Sequence, residues 1–457
     1  MKKLPDNWCK VALGEISSTS SGIGFPLQFQ GKIEGELGFY KVGDISKAVI
    51  EQGGFLKNPQ HCVSKEIAVE LKGKPIPSGA TVFAKIGEAV KLNRRAFVVD
   101  ECLIDNNVMA VKAFQSDSDR YIYMFLRTRN FTDLSRATTV PSLRKGDIES
   151  LIIPLAPLNE QKRIADKLDC ILARVDACRE RLDRIPAILK RFRQSVLAAA
   201  TSGKLTEEWR NETGNDKPWK TVRLAEIAHI QGGVTKDSKK QSLNDEEVPY
   251  LRVANVQRGY LDLGDIKIIR IPVSKLNALL LEPGDILFNE GGDIDKLGRG
   301  WIWEGQIEQC SFQNHVFRAR LYDKKNQPKY ISWWGNYRGL NYFLRSGKQT
   351  TNLASINKSM LSELPINLPS FEEQTEIVRR VEEMFAYADR IEARYHAARA
   401  RIDKLTPAIL AKAFRGELVP QNPDDEPASV LLDRIRASRA ANAATSKPER
   451  RRNRGAK

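Results

Sequence analysis

The residues of this chain that could do chemistry are mostly cationic, and they cluster at matching places in its two halves. Gly22-Ile23-Gly24 and Gly232-Gly233 occupy equivalent positions, and the second is followed by Lys236, Lys239 and Lys240. A second pair of clusters holds Lys85, Lys91, Arg94 and Arg95, then Lys296 and Arg299. A third holds Arg136, Arg144 and Lys145, matched by Arg345, Lys348, Gln349 and Lys358. Glycines such as Gly22, Gly24 and Gly233 let a backbone approach a ligand closely, and lysine supplies phosphate contacts. Arginine reads guanine bidentately, and glutamine reads adenine in the same way. For any one of these residues a solvated surface charge is the plain alternative, so the clusters carry more weight than their members.

The bulk charge agrees. The 457 residues carry 73 Lys and Arg against 57 Asp and Glu, a formal net charge of +16. Such an excess calls for a polyanionic partner or an acidic protein. Part of it lies in a tail where Lys447, Arg450, Arg451, Arg452, Arg454 and Lys457 face only Glu449, a segment expected to be disordered.

Catalytic motifs are missing. Gly203-Lys204-Leu205 and Gly347-Lys348-Gln349 lack the upstream glycine and the hydroxyl residue of a phosphate-cradling loop, so ATP hydrolysis is not expected. Asn58-Pro59-Gln60 and Asn422-Pro423-Asp424 do not make the Asn-Pro-Pro-aromatic motif of amino-methyltransferases. Cys9, Cys62, Cys102, Cys170, Cys178 and Cys310 form no C-x-x-C pair, and the four histidines add no ligand spacing. No metal site is expected, and the cysteines read as reduced in a cytoplasmic chain. No apolar run is long enough for a bilayer, and no secretory h-region follows the first lysines.

The elements that must position the clusters are written twice. Trp8, Val11, Leu13, Glu15 and Ile16 recur as Trp219, Val222, Leu224, Glu226 and Ile227. Phe83, Gly87, Lys91-Leu92 and Arg94 recur as Phe288, Gly292, Lys296-Leu297 and Arg299. Cys102, Asn106 and Val108 recur as Cys310, Asn314 and Val316, and Glu160-Gln161 as Glu373-Gln374. The offset stays within roughly 205 to 213 positions, the mark of an internal repeat.

Each copy opens with short apolar segments punctuated by glycine and proline, an α+β pattern, and closes with a long helix. The first helix carries a heptad seam of Ile164, Leu168, Ile171, Val175, Cys178, Leu182, Ile185, Leu189, Phe192 and Val196. The second carries Ile377, Val381, Met384, Ala388, Ile391, Tyr395, Ala398, Ile402, Leu405 and Ile409. Four or more heptads predict a coiled coil, with interruptions at Pro186 and Pro407 and glycine caps at Gly203 and Gly416. Domain boundaries follow: 1–155 and 218–367 for the two α+β domains, 156–203 and 368–416 for the helices, 204–217 for a linker, and 417–457 for a C-terminal segment. That segment contains a short amphipathic helix from Ser429 to Arg439 with Val430, Leu431 and Ile435 on its apolar side. Trp333-Trp334, Tyr337, Tyr342 and Phe343 beside Arg338 and Arg345 fit base stacking or, at this spacing, a helix packed into its core.

Several segments together resemble the specificity subunits of type I restriction–modification systems, in order and spacing and over nearly the whole chain. They are Trp8 with Leu13-Gly14-Glu15-Ile16, the helix starts at Pro157 to Gln161 and Pro369 to Gln374, Ser202-Gly203-Lys204-Leu205-Thr206, Arg415-Gly416-Glu417-Leu418, and Glu426-Pro427-Ala428-Ser429-Val430-Leu431-Leu432. The resemblance implies an α+β fold of two related target-recognition domains joined by two long antiparallel coiled-coil helices, in a pseudo-two-fold circular arrangement. It implies that each domain reads one half of an asymmetric, interrupted double-stranded DNA site. It implies two methyltransferase subunits, which use S-adenosylmethionine to methylate adenine N6, and two restriction/translocase subunits, which use ATP and Mg2+. This chain would bind no cofactor, catalyse nothing itself and require no homo-oligomer. Two other classes stay open: a self-contained modification enzyme or nuclease, active alone, and a stand-alone bipartite DNA-binding protein, site-specific without methyltransferase partners.

Overall fold

The computed structural model describes residues 3–135, 140–235, 245–292, 297–346, 348–349 and 354–445. The chain forms two compact units, residues 1–182 with 398–457 and residues 183–397.

In the first unit, Ser17–Ser21, Val108–Ala113, Thr81–Ala84, Arg95–Val98 and Phe55–Leu56 form a five-stranded sheet in that order. Val108–Ala113 and Thr81–Ala84 are almost wholly buried, as central strands covered on both faces must be. Ser17–Ser21 sits at the edge and begins with a buried/exposed alternation. A smaller sheet pairs Leu37–Tyr40 in parallel with Cys102–Ile104. A third ladder joins Cys9–Ala12 to Ile152–Leu155, which ties the start of the unit to the strand leading into the first long helix.

The second unit repeats this plan. Ala228–Gly232, Val316–Leu321, Ile286–Asn289 and Gly300–Ile302 form the larger sheet, and Glu246–Leu251 runs parallel to Ser311–Phe312. Lys220–Arg223 pairs with Pro365–Leu368 as the N-terminal strand does in the first unit. The recurring cysteines Cys102 and Cys310 lie in these cores, and burial pushes both thiols up to about 12. That marks them as packing residues. Trp333, Trp334 and Phe343 are buried as well, so of the two readings for that aromatic group the structure shows core packing for these three.

The long helices start where the prolines and the Glu-Gln pairs place them, as Leu158–Asp183 and Phe371–Ala413. Pro186 ends the first as expected: a second helix, Ile185–Ala200, begins with the proline in its first turn, where the missing N–H costs nothing. Pro407 is accommodated inside Phe371–Ala413. Within the first unit, Leu168 and Leu172 share a core with Leu410 and Ala413, while Arg179 lies 3.8 Å from Asp403. Within the second, Arg193 bonds Asp389 and Glu392 at 2.7 Å, and Arg380 donates to the Leu205 carbonyl at 2.9 Å. Rising numbers on one helix meet falling numbers on the other, so the pairing is antiparallel in each unit.

The seam departs from its heptads in places. Ile164, Leu168, Val175, Leu189, Val196, Ile377, Val381 and Ala388 are buried. Ile171, Leu182, Ile185, Phe192, Met384, Ile391, Tyr395, Ala398, Ile402 and Ile409 are half-buried. Cys178 is exposed, and Leu405 is 42% exposed, contrary to their places in the expected seam. A straight helix of 3.6 residues per turn drifts ~20° per heptad from a strict seven-residue repeat. Leu172 and Leu410, each one residue past a seam position, are accordingly buried, while Ile171 and Ile409 are half-buried. The C-terminal helix is longer than expected, Ala428–Thr445, and buries Leu431, Leu432 and Ile435, while Val430 is exposed.

Candidate nucleic-acid interface

In the first unit the three predicted loops are tied together by backbone hydrogen bonds. The Ile23 amide donates to the Ile104 carbonyl at 3.0 Å, which seats the glycine loop against the turn that precedes Val108–Ala113. On that turn the Asn107 carbonyl accepts from the Lys85 amide at 2.8 Å. The Lys85 carbonyl accepts from Leu143 at 2.8 Å, and Gly87 donates to Pro141 at 2.8 Å. Segments more than a hundred residues apart in sequence thus form one continuous surface.

The second unit repeats three of these four bonds. Val234 donates to Phe312 at 2.7 Å, Glu290 to the His315 carbonyl at 2.9 Å, and Ile356 to the Glu290 carbonyl at 2.7 Å. Lys85 therefore corresponds to Glu290, Asn107 to His315, and Leu143 to Ile356. The bridge between Ile86 and Ser142 has its counterpart between Gly291 and Ser355. The backbone frame is shared and the side chains on it differ. In the second unit the His315 ring lies 2.5 Å from the Glu290 carboxylate through Nδ1, a polar pair where the first unit holds Lys85 and Asn107.

The glycines explain the frame. A Cβ on Gly22 would lie 2.1 Å from the Ile104 and Asp105 carbonyl oxygens, and one on Gly233 would lie 2.0 Å from that of Phe312. Both positions demand glycine because two backbones touch there. Gly24 is exposed, with open space where a side chain would go.

The structure divides the predicted cations. Arg144 and Lys145 are exposed at the start of a short helix, with Lys145 3.6 Å from Glu149. Lys91 is exposed and paired with Glu88 at 2.8 Å, while Lys85 and Arg94 are half-buried. Arg95 is turned inward at 5% exposure: its guanidinium lies 3.8 Å over the Phe131 ring and donates to the Asn93 and Arg129 carbonyls. Burial, with Arg127 nearby, lowers its pKa from the ordinary value. In the second unit Arg299 is half-buried and reaches the Val253 carbonyl at 3.2 Å, and Arg345 and Lys358 are exposed. Lys348 and Gln349 form a short strand paired with Ala354–Ser355, itself paired with Gly291–Gly292. Arg136, Lys236, Lys239, Lys240, Lys296 and the basic tail from 446 lie outside the described residues.

Sequence reasoning passed over Asn107, Glu290, His315 and Ile86. The signal for the first and third was present, because the repeated Asn106 and Val108, with Asn314 and Val316, bracket the turn that carries them. Among the described residues no group of three His, Cys, Asp or Glu could hold a metal ion, and no helix is long and apolar enough to cross a membrane.

Comparison with known proteins agrees with this architecture. The model of the type I restriction modification DNA specificity domain matches residues 5–187 and again 216–397. The chain belongs to the specificity subunits of type I restriction enzymes, and its role is that of a DNA-recognition subunit. It is 32% identical over 457 residues to the type I restriction enzyme StySPI specificity subunit of Salmonella potsdam, covering 96% of each chain. It is 37% identical over 328 residues to the EcoKI specificity subunit of Escherichia coli strain K12, covering 69% of this chain and 70% of that one. The crystal structure of the HsdS subunit from Thermoanaerobacter tengcongensis shares the fold, with a TM-score of 0.59, 21% identity, and 91% and 98% of the two chains covered.

Proposed function

We propose that each unit reads one half of an asymmetric, interrupted DNA site through the surface built on its hydrogen-bond circuit. The observation that carries this reading is the repetition of one backbone frame under unlike side chains: Lys85 against Glu290, Asn107 against His315, Ile86 against Gly291. Two copies of one reader would recognise a palindrome, whereas two different readers in one chain recognise two different half-sites. The exposed cations of Arg144, Lys145, Arg345 and Lys358 supply backbone contacts, and the circuit residues supply base contacts.

The chain itself performs no chemistry in this account. It positions two methyltransferase subunits, which use S-adenosylmethionine to methylate adenine N6, and two restriction/translocase subunits, which use ATP and Mg2+. The setting is the cytoplasm, and a second copy of this chain is not needed. Selection from a randomised duplex library by the full chain with its methyltransferase partners tests the reading. Two unlike blocks at a fixed separation are expected; a palindrome or a single block would contradict it.

A further inference from the structure

At Ile86 the circuit of the first unit presents an aliphatic side chain, and at the matching position the second has Gly291. Ile86 is 40% exposed and bridges Ser142, and Val140, two residues before Ser142, is 54% exposed. The alternation in this segment fixes which side faces outward: Pro141 and Leu143 are buried, whereas Val140 is exposed and Ser142 half-buried. Ser142 stands opposite Ile86 in the bridge, and Val140 is exposed two residues earlier. Arg144 and Lys145, both exposed, follow this patch in the chain. Cations of this kind hold a phosphate backbone close and bring base edges within reach. At the equivalent place in the second unit stands Gly291, paired with Ser355.

We propose that Ile86, supported by Val140, reads the C5-methyl group of a thymine in the half-site of the first unit. This rests on the reading that the circuit surface meets DNA. An aliphatic side chain can neither donate nor accept a hydrogen bond, and the one apolar feature among the base edges of the major groove is the thymine methyl. Gly291 has no side chain to offer, so the matching position of the second unit makes no such contact. The contact is therefore part of what makes the site asymmetric.

The test uses the full chain with its methyltransferase partners, wild type and Ile86→Ser, each selecting from a randomised duplex library. Each thymine of the selected site is then replaced singly by deoxyuridine, which removes only the methyl. In the wild type one thymine of one half-site should lose about fourfold in affinity on that replacement, the worth of one buried methyl. Ile86→Ser should relax the preference at that position and bind thymine and uracil equally, while Ile86→Val retains the discrimination and the other half-site is unchanged in all three proteins. The inference is overturned if both half-sites emerge but no uracil replacement matters, or if Ile86→Ser keeps the same thymine preference; recognition by two units would then still stand. If a folded complex selects no sequence at all, the recognition reading fails and this inference with it.

Discussion

Trp8 donates its indole N–H to the Glu160 carboxylate at 2.9 Å, and Trp219 makes the same bond to Glu373 at the same distance. Both carboxylates are fully buried in the first turn of a long helix, and each tryptophan packs near the capping glycine that ends a helix, Gly416 and Gly203 respectively. The neighbouring glutamines act in parallel, Gln161 donating to the Ala156 carbonyl at 2.8 Å and Gln374 to that of Pro369 at 3.0 Å. The repeated tryptophan and Glu-Gln pair is thus a clamp joining a recognition domain, a helix start and the chain that follows a helix end.

The two clamps are not equal. Glu373 also accepts from Thr206 at 2.7 Å and from the Arg210 guanidinium at 2.6 Å, whereas the second partner of Glu160 is the neutral Gln421 amide at 2.5 Å. Glu373→Gln leaves Arg210 without its counter-charge and should cost about 2–3 kcal/mol. Glu160→Gln lets the Gln421 amide turn and accept, and should cost about 1 kcal/mol or less. Urea unfolding of the full chain measures the difference.

The pH dependence should carry opposite contributions from two glutamates. Burial raises the pKa of Glu160 above the ordinary 4.5, so its contribution is complete below that value and is lost as pH rises through its folded value. Hydrogen bonds from Arg379 and Arg380 hold Glu376 down to about 2, so its contribution is present above 4.5 and is lost as pH falls toward 2. Glu376→Gln should flatten the acid limb of a stability profile taken from about pH 3 to about pH 7, and Glu160→Gln should remove a loss on the rising side. An acid limb unaltered by Glu376→Gln would contradict the assignment.

Arg95 and Lys145 sit in two of the predicted cationic clusters and should respond oppositely. Arg95→Ala empties a buried site and strands two carbonyls, so it should destabilise the chain by about 2–3 kcal/mol. Lys145→Ala should leave stability within about 0.5 kcal/mol and reduce the salt slope of DNA binding by about one. Thermal melts and binding titrations at several salt concentrations check both.

The helix seam makes a similar contrast. Leu168 is fully buried and Leu405 is not, so Leu168→Asp should cost more than about 3 kcal/mol while Leu405→Asp stays within about 1 kcal/mol. Unfolding midpoints of the two variants decide it.

Much of this was legible in the sequence because the repeat is a physical constraint: Trp8 and Trp219, Cys102 and Cys310, Glu160 and Glu373 recur because two cores and two clamps need the same atoms. Gly22 and Gly233 were legible as close-approach positions, although the surface they touch proved to be their own chain. Arg95 could not be told from Arg94 by type, since only the fold reveals which guanidinium faces Phe131. Leu405 was misplaced because heptad counting ignores helical drift. The circuit through Asn107 and Lys85 joins residues whose sequence distance gives no sign of contact.

In the proposed function this chain confers a two-part DNA specificity, one part from each unit. The most direct measurement is N6-methyladenine sequencing of the genome of a host lacking type I systems, expressing the cognate methyltransferase without this chain, with it, and with its Glu290→Gln variant. A new asymmetric bipartite motif should appear only when the chain is present, with Glu290→Gln altering one half and leaving the other intact. A motif that appears without the chain, or no motif from a folded chain bound to its methyltransferase, would contradict the proposed function.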